Sequence, residues 1–160
     1  MARFMRKGKT RVYFLTTLTV PTAPTAAEVI AGVSLGQHMA EMSGFMFSNN
    51  PIMTPELQNA FVSQIPGEDA TEASGMVLYQ DPAVASQARR AALVKGAVGY
   101  VVIFSAGLAG STPAVADKCD IWPVTVSSNS KQYTVENEAA KYEVKFAMTS
   151  PPTEDFAIAA

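Results

Sequence analysis

Charge is scarce in this sequence. Of its 160 residues only 16% are Asp, Glu, Lys or Arg, against about 25% in ordinary soluble domains, while 48% are apolar. Charge keeps protein surfaces apart, so an exterior with so little of it favours association and fits a surface meant for subunit contacts. Cysteine is nearly absent too. Cys119 stands alone, which excludes an internal disulfide and fits synthesis in a reducing cytoplasm. No run approaches the roughly 20 apolar residues of a membrane-spanning helix. Residues 12–20 are too short and too rich in threonine for a secretory leader. The net charge of −2 argues against a protein that grips phosphate backbones.

The catalytic inventory is equally thin. His38 is the sole histidine, so a nucleophile–base arrangement needs it beside Cys119 or a serine, with a third group to orient it. No spacing in the chain points that way, and a lone histidine in an apolar strand is more often a packed or edge residue. One His and one Cys cannot form a zinc site, and Glu68, Asp69 and Glu72 lack calcium-loop spacing. Those three carboxylates sit among small polar residues, where full solvation is the default, and read as an acidic turn rather than an acid–base pair. Gly107 and Gly110 are not followed by the Lys-Ser or Lys-Thr of a phosphate-cradling loop. Aromatics do not interleave with basic residues as on a nucleic-acid stacking platform, and the single Trp122 reads as a core anchor. The expectation is no enzyme, no metal and no cofactor.

What the chain does contain is strand. Residues 10–18 are β-branched and aromatic and predict a first strand. Thr25 followed by Glu28 has capping-box spacing, and Ala26, Ala27 and Ala31 extend it into a short helix that Gly32 ends. A second extended region covers 33–48, bent at Gly36 and Gly44. Asn49-Asn50-Pro51 and Thr54-Pro55 predict a protruding loop, with 57–65 as its return limb and 66–69 as the next turn. Residues 74–80 read as a strand. Asp81 and Pro82 supply an N-cap and first residue for a helix over about 83–95, stopped by Gly96, with Arg89 and Arg90 on a solvated face.

The apolar run 100–104 predicts a central strand, whereas Pro123 demotes the strand over 119–127 towards an edge or a bulge. Tyr142, Val144, Phe146 and Met148 alternate with Lys141, Glu143 and Lys145, the pattern of a half-buried strand. The tail 151–160 reads as loosely ordered. The basic segment 1–11, with Arg3, Arg6, Lys7, Lys9 and Arg11, reads either as an arm for an acidic neighbour or nucleic acid, or as a solvated, mobile terminus. Nothing marks a linker or an internal repeat. Residues 1–160 therefore form one domain, mainly β: a sandwich or partly open barrel with one flanking helix.

Particular stretches then carry a resemblance. The opening MARFMRKGKTRVYFL, the segment MAEMSGFMFSNNPIMTPEL, the turn QIPGED, the strand GMVLYQDP, the helix end LVKGAVGYVVIF and the run CDIWPVTVSSNSKQYTVENEAAKYEVKFAMTSPP resemble successive blocks of phage tail tube proteins. They are most similar to those of long-tailed phages infecting actinobacteria, which favours a non-contractile tail. The blocks keep their order and cover most of the chain.

The resemblance implies two sheets packed around a core with a flanking helix, six subunits to a ring, and rings stacked into a tube through which double-stranded DNA passes without specific binding. One sheet of each subunit joins its neighbours in an inner barrel, and a long loop reaches the next ring. Here that loop corresponds to Asn49, Asn50, Pro51, Ile52, Met53, Thr54, Pro55 and Glu56. The N-terminal arm, with Arg3, Phe4, Arg6, Lys7 and Lys9, and the C-terminal tail are further contact candidates. A lumen that must not hold DNA needs a neutral or acidic lining, drawn from Glu41, Glu68, Asp69, Glu72 and Glu143, with Lys141 and Lys145 available to pair with them. The implied partners are copies of itself and the tape measure, tail terminator and distal tail proteins. The implied location is the virion tail, with no membrane. Competing expectations are a β-sandwich binding module for capsid decoration or host recognition, a subunit of a bacterial injection tube, and a hydrolase using Cys119 and His38.

Overall fold

The computed structural model describes residues 5–80, 82 and 84–159, and for residues 84–87 the backbone alone. In chain order the elements are β1 (Arg11–Leu15), α1 (Ala26–Ala31), β2 (Val33–Ser34), a 3-10 turn (Gly36–His38), β3 (Met39–Ser43), β4 (Phe47–Asn49), β5 (Ile52–Thr54), β6 (Ser63–Ile65), β7 (Asp69–Thr71), β8 (Ser74–Tyr79), α2 (Val84–Ala92), β9 (Val98–Phe104), β10 (Lys118–Gln132), β11 (Lys141–Met148) and β12 (Thr153–Ala157). Eight strands make one antiparallel sheet in the order β2-β1-β9-β10-β11-β8-β3, with β12 also on β10. It is mainly β, and the sheet does not close into a barrel.

β10 joins the two halves of this sheet. Its first half pairs with β9 over Asp120 to Thr125, and its second half pairs with β11 from Val124 to Gln132. β11 ends with Met148 opposite Val124, and β12 resumes with Thr153 opposite Ile121. Residues 141–157 thus act as one long partner of β10, interrupted once. Pro123 lies at that interruption, so the strand expected at an edge is central. In an antiparallel ladder a residue's N–H and C=O share an edge. The Pro123 carbonyl accepts from the Thr149 amide at 3.1 Å, so its missing donor falls at the gap between β11 and β12.

Alternation along the strands fills two clusters. Val12, Phe14, Val101, Ile103, Trp122 and Val124 pack against Met76, Leu78, Tyr142, Val144 and Phe146, so the two halves of the sheet face each other like the layers of a sandwich. Leu15, Val102, Phe104, Cys119 and Ile121 point the other way and are covered by Val29 of α1 and by Ile158. Because β9 is covered on both faces, residues 100–104 are unbroken apolar sequence rather than alternating. Trp122 anchors the first cluster, its ring edge-to-face with Phe45 at 5.6 Å.

The helices follow the same logic with one correction. In α1 the Thr25 hydroxyl accepts from the Glu28 amide at 3.3 Å, and the Glu28 carboxylate accepts from the Thr25 amide at 2.9 Å, the capping box the spacing predicts. In α2 the basic residues are not a solvated face. Arg89 and Arg90 are half-buried. Arg90 Nε donates to Asn129 Oδ1 at 3.3 Å, while Asn129 Nδ2 donates to the Leu93 carbonyl at 2.9 Å. The helix is tied to β10 by that amide and by buried Leu93. The expected N-cap Asp81 lies outside the described residues.

The tail is a second correction. Far from loose, residues 153–157 are β12, Ile158 is buried, and Ala159 bridges to Thr25. Pro151-Pro152 masks a short strand behind it, and Phe156 of that strand and Ile158 just past its end close the second cluster.

Candidate functional site

The expected loop 49–56 is one limb of a longer ribbon. Beyond the pairing of β3 with β8, β4 pairs with β7 (Phe47 opposite Thr71, Asn49 opposite Asp69) and β5 with β6 (Ile52 opposite Ile65, Thr54 opposite Ser63). The chain reverses over 55–62. Asn49-Asn50-Pro51 is therefore not a turn, and neither is 66–69; the two irregularities face each other across the ribbon. Asn49 Nδ2 donates to the Gly67 carbonyl at 2.9 Å and to Asp69 Oδ1 at 2.6 Å, and the Asn50 amide donates to the Glu68 carbonyl at 2.9 Å. Each cluster has turn-forming residues, and sequence gives no signal that they are opposite each other.

The ribbon's side chains have little of their own chain to pack on. Met46, Phe47, Ile52, Met53, Leu57, Phe61, Val62 and Ile65 are all exposed, Leu57 at 106% and Phe61 at 74%. An isolated two-stranded ribbon is marginal in water, and a contiguous exposed apolar patch marks an interaction surface.

The second feature is a sheet face. In β3, β8, β11 and the second half of β10 the residues pointing away from the core fall in rows across the strands. One row is Ser130, Glu143, Val77 and Glu41, and the next is Ser128, Lys145, Gly75 and Ser43. The Lys145 ammonium stands 3.9 Å from the Glu143 carboxylate, while Lys141 pairs with Glu138 at 3.0 Å. The face is small, polar and close to neutral. It brings together Glu41 and Glu143 of the five acidic candidates; Glu68, Asp69 and Glu72 belong to the ribbon and its root. Among the described residues no strand covers the outer edge of β3, or the edge of β10 beyond Val126 on the side away from β11.

Of the N-terminal candidates, Arg3 and Phe4 lie outside the described residues. Arg6, Lys7 and Lys9 are exposed on a turn closed by the Lys9 and Thr10 amides on the Arg6 carbonyl, each at 3.0 Å. Arg6 and Lys7 border an open cavity of about 630 Å³ between this turn and β3, floored by Ile103 and Trp122.

Cys119 is buried, and its thiol is pushed up to about 12, chiefly by burial and further by the negative charges of Asp120 and Asp117. A thiol held protonated is a poor nucleophile. His38 ends the 3-10 turn before β3, whereas Cys119 sits in an apolar setting among Leu15, Val102, Phe104 and Ile158. Among the described residues no group of His, Cys, Asp and Glu converges as metal ligands do, and no helix is long and apolar enough to cross a membrane.

These features define a class: a curled antiparallel β-protein whose distinctive surfaces are open strand edges, a neutral sheet face and an unpartnered apolar ribbon. The chain belongs to the phage tail tube protein family, which matches residues 1–160. It is thus a structural protein of the phage tail that assembles with copies of itself. Its fold is similar to that of a chain in the 6-fold symmetrised baseplate of the anti-feeding prophage, at 10% identity and TM-score 0.60, covering 95% of this chain and 97% of that one. It is also similar to a chain in the tail of an empty GTA particle, determined with helical refinement and C6 symmetry, at 10% identity and TM-score 0.61, with 94% and 98% covered. No curated protein sequence matches it.

Proposed function

We propose that six copies of this chain form a ring and that rings stack head to tail into the tail tube of a long-tailed phage, the conduit through which the genome enters the host. The sheet of β3, β8, β11 and the second half of β10 lines the lumen, and its open edges join neighbouring copies, which removes the exposed edges that make an open sheet aggregate. Glu41 and Glu143 face the channel. Every phosphate held by a fixed cation adds drag on passing DNA, and here Lys141 and Lys145 are matched by Glu138 and Glu143. The 6-fold and C6 symmetries of the two similar structures support a ring of six.

Stacking runs through Asn49 to Glu56 and the rest of the ribbon, with the N-terminal segment from Arg3 to Lys9 as a second contact. The tape measure, tail terminator and distal tail proteins meet the tube's lumen and ends. Synthesis in the host cytoplasm fits the single cysteine, and affinity with actinobacterial phages and a non-contractile tail follow from the sequence resemblance. The role is not enzymatic, and the protonated, covered Cys119 speaks against the hydrolase alternative.

The apolar ribbon carries this reading, because a free monomer has no use for it. Replacing residues 46–72 by a short turn between β3 and β8 should leave Trp122 packed, by near-UV circular dichroism, and abolish long rods in negative stain. Long tubes from the shortened chain would contradict the stacking role.

A further inference from the structure

Resting on the stacking reading, Asn49 takes a role beyond contact. The ribbon is two ladders rather than one. β4 and β7 pair as far as Asn49 opposite Asp69, and β5 and β6 begin at Ile52 opposite Ile65. Between the ladders Asn50 and Pro51 on one limb face Pro66, Gly67 and Glu68 on the other, so one limb carries an extra residue. A bulge of that kind bends a ribbon and increases its twist. It also interrupts the backbone ladder, and Pro51 and Pro66 have no N–H with which to mend it. One backbone bond survives there, the Asn50 amide on the Glu68 carbonyl at 2.9 Å.

The Asn49 side chain supplies the rest. Its Oδ1 accepts from the Gly67 amide at 3.1 Å, and its Nδ2 donates to the Gly67 carbonyl at 2.9 Å and to Asp69 Oδ1 at 2.6 Å. One carboxamide thus engages both backbone polar groups of Gly67, as a residue on a facing strand would. Gly67 permits the approach, because a Cβ there would run into the Asn50 carbonyl. Past the joint the outer ladder has ties of its own. Thr54 Oγ1 donates to the Ser63 carbonyl at 3.0 Å, and Asn59 Oδ1 accepts from the Phe61 amide at 3.0 Å. The outer ribbon, with Leu57 and Phe61 exposed at its tip, is one unit carried on a joint that Asn49 spans.

We infer that Asn49 is a positioning residue: it fixes the angle of β5 and β6 on β4 and β7 in the free chain, so that the apolar tip is presented to the next copy in one orientation. Assembly draws only on chains whose tip is correctly aimed, so a joint that wanders lowers the fraction of competent subunits.

Pulsed electron paramagnetic resonance on the dilute, unassembled full-length chain tests the joint. One nitroxide sits at Val98→Cys on β9, and the other at Leu57→Cys on the tip or, as a control, at Phe47→Cys below the joint. All three side chains are exposed, and covered Cys119, its thiol pushed up to about 12, is slow to label. The expected result is a narrow distance distribution for both pairs, with Asn49→Ala broadening the tip pair alone. Asn49→Asp combined with Asp69→Asn keeps an acceptor for the Gly67 amide and a side-chain bond across the ribbon, and should narrow it again. Asn49→Ala should also raise the concentration needed for rods about 3–10-fold, the weight of one or two exposed hydrogen bonds, and the exchanged pair should recover most of that loss.

A broad tip distribution with Asn49 in place, or an unchanged one in Asn49→Ala, overturns the joint. Broadening of both pairs makes Asn49 a general stabiliser of the ribbon and overturns it too. A tip that wanders while rods form at the native concentration removes the role in assembly. If the unaltered chain forms no rods at all, the tube reading fails and the assembly role with it, while the distance distributions still decide the joint.

Discussion

Glu28 shows how a single residue fixes local structure. Its carboxylate is held at about 2, from an ordinary 4.5, first by the Thr19 side chain and then by the backbone amides of Thr25 and Thr19. A lowered carboxylate stabilises the fold above its unfolded value, and that contribution disappears as pH falls through the folded one. The stability gap between the native chain and Glu28→Gln should therefore be full at pH 6, shrink below pH 4.5 and close near pH 2, measured by urea denaturation. Thr25→Ala, which removes the cap, should cost about 1 kcal/mol at neutral pH. Two glycines separate strain from collision. Gly44 and Gly96 have φ of +89° and +88°, but a Cβ at Gly44 would run into the Ala73 carbonyl whereas one at Gly96 meets nothing. Gly96→Ala should cost the roughly 1–2 kcal/mol of a left-handed residue; Gly44→Ala should cost more and tilt the ribbon's root, read as a lower urea midpoint.

At the scale of elements, legibility followed the reach of the signal. The capping box of α1, the strand 100–104 and the alternation of Tyr142, Val144 and Phe146 are local patterns with one structural meaning, and each was readable. Pro123 misled because whether a missing N–H matters depends on what lies across the edge, which no local window contains. The tail misled for a related reason: Ile158 looks like any terminal apolar residue until Cys119 and Ile121 are known to lie beneath it. The ribbon was half legible. Its turn residues were recognisable, but the pairing of Asn49 with Gly67 and Asp69 joins positions about twenty apart, and only the fold brings them opposite. For the tail this gives a prediction. Ile158→Ala should cost about 2–5 kcal/mol, as other buried truncations do. It should also speed labelling of Cys119 by a thiol reagent, and an unchanged labelling rate would mean that Ile158 is not its cover.

At the scale of the whole molecule, sparse charge was the most informative property of the sequence, and the structure shows where the consequence falls. Residues 46–72 carry four acids and no cation, and exposed apolar side chains run along the ribbon they form. That surface has little of its own chain to pack on. The sequence could not reveal this arrangement, because a ribbon exists only once its strands are in register. The central claim is that the chain is built to be completed by copies of itself. Electron microscopy of the purified full-length protein across a concentration series tests it most directly. Stacked rings or rods enclosing a channel are the predicted result, and a monodisperse monomer at every concentration would contradict it.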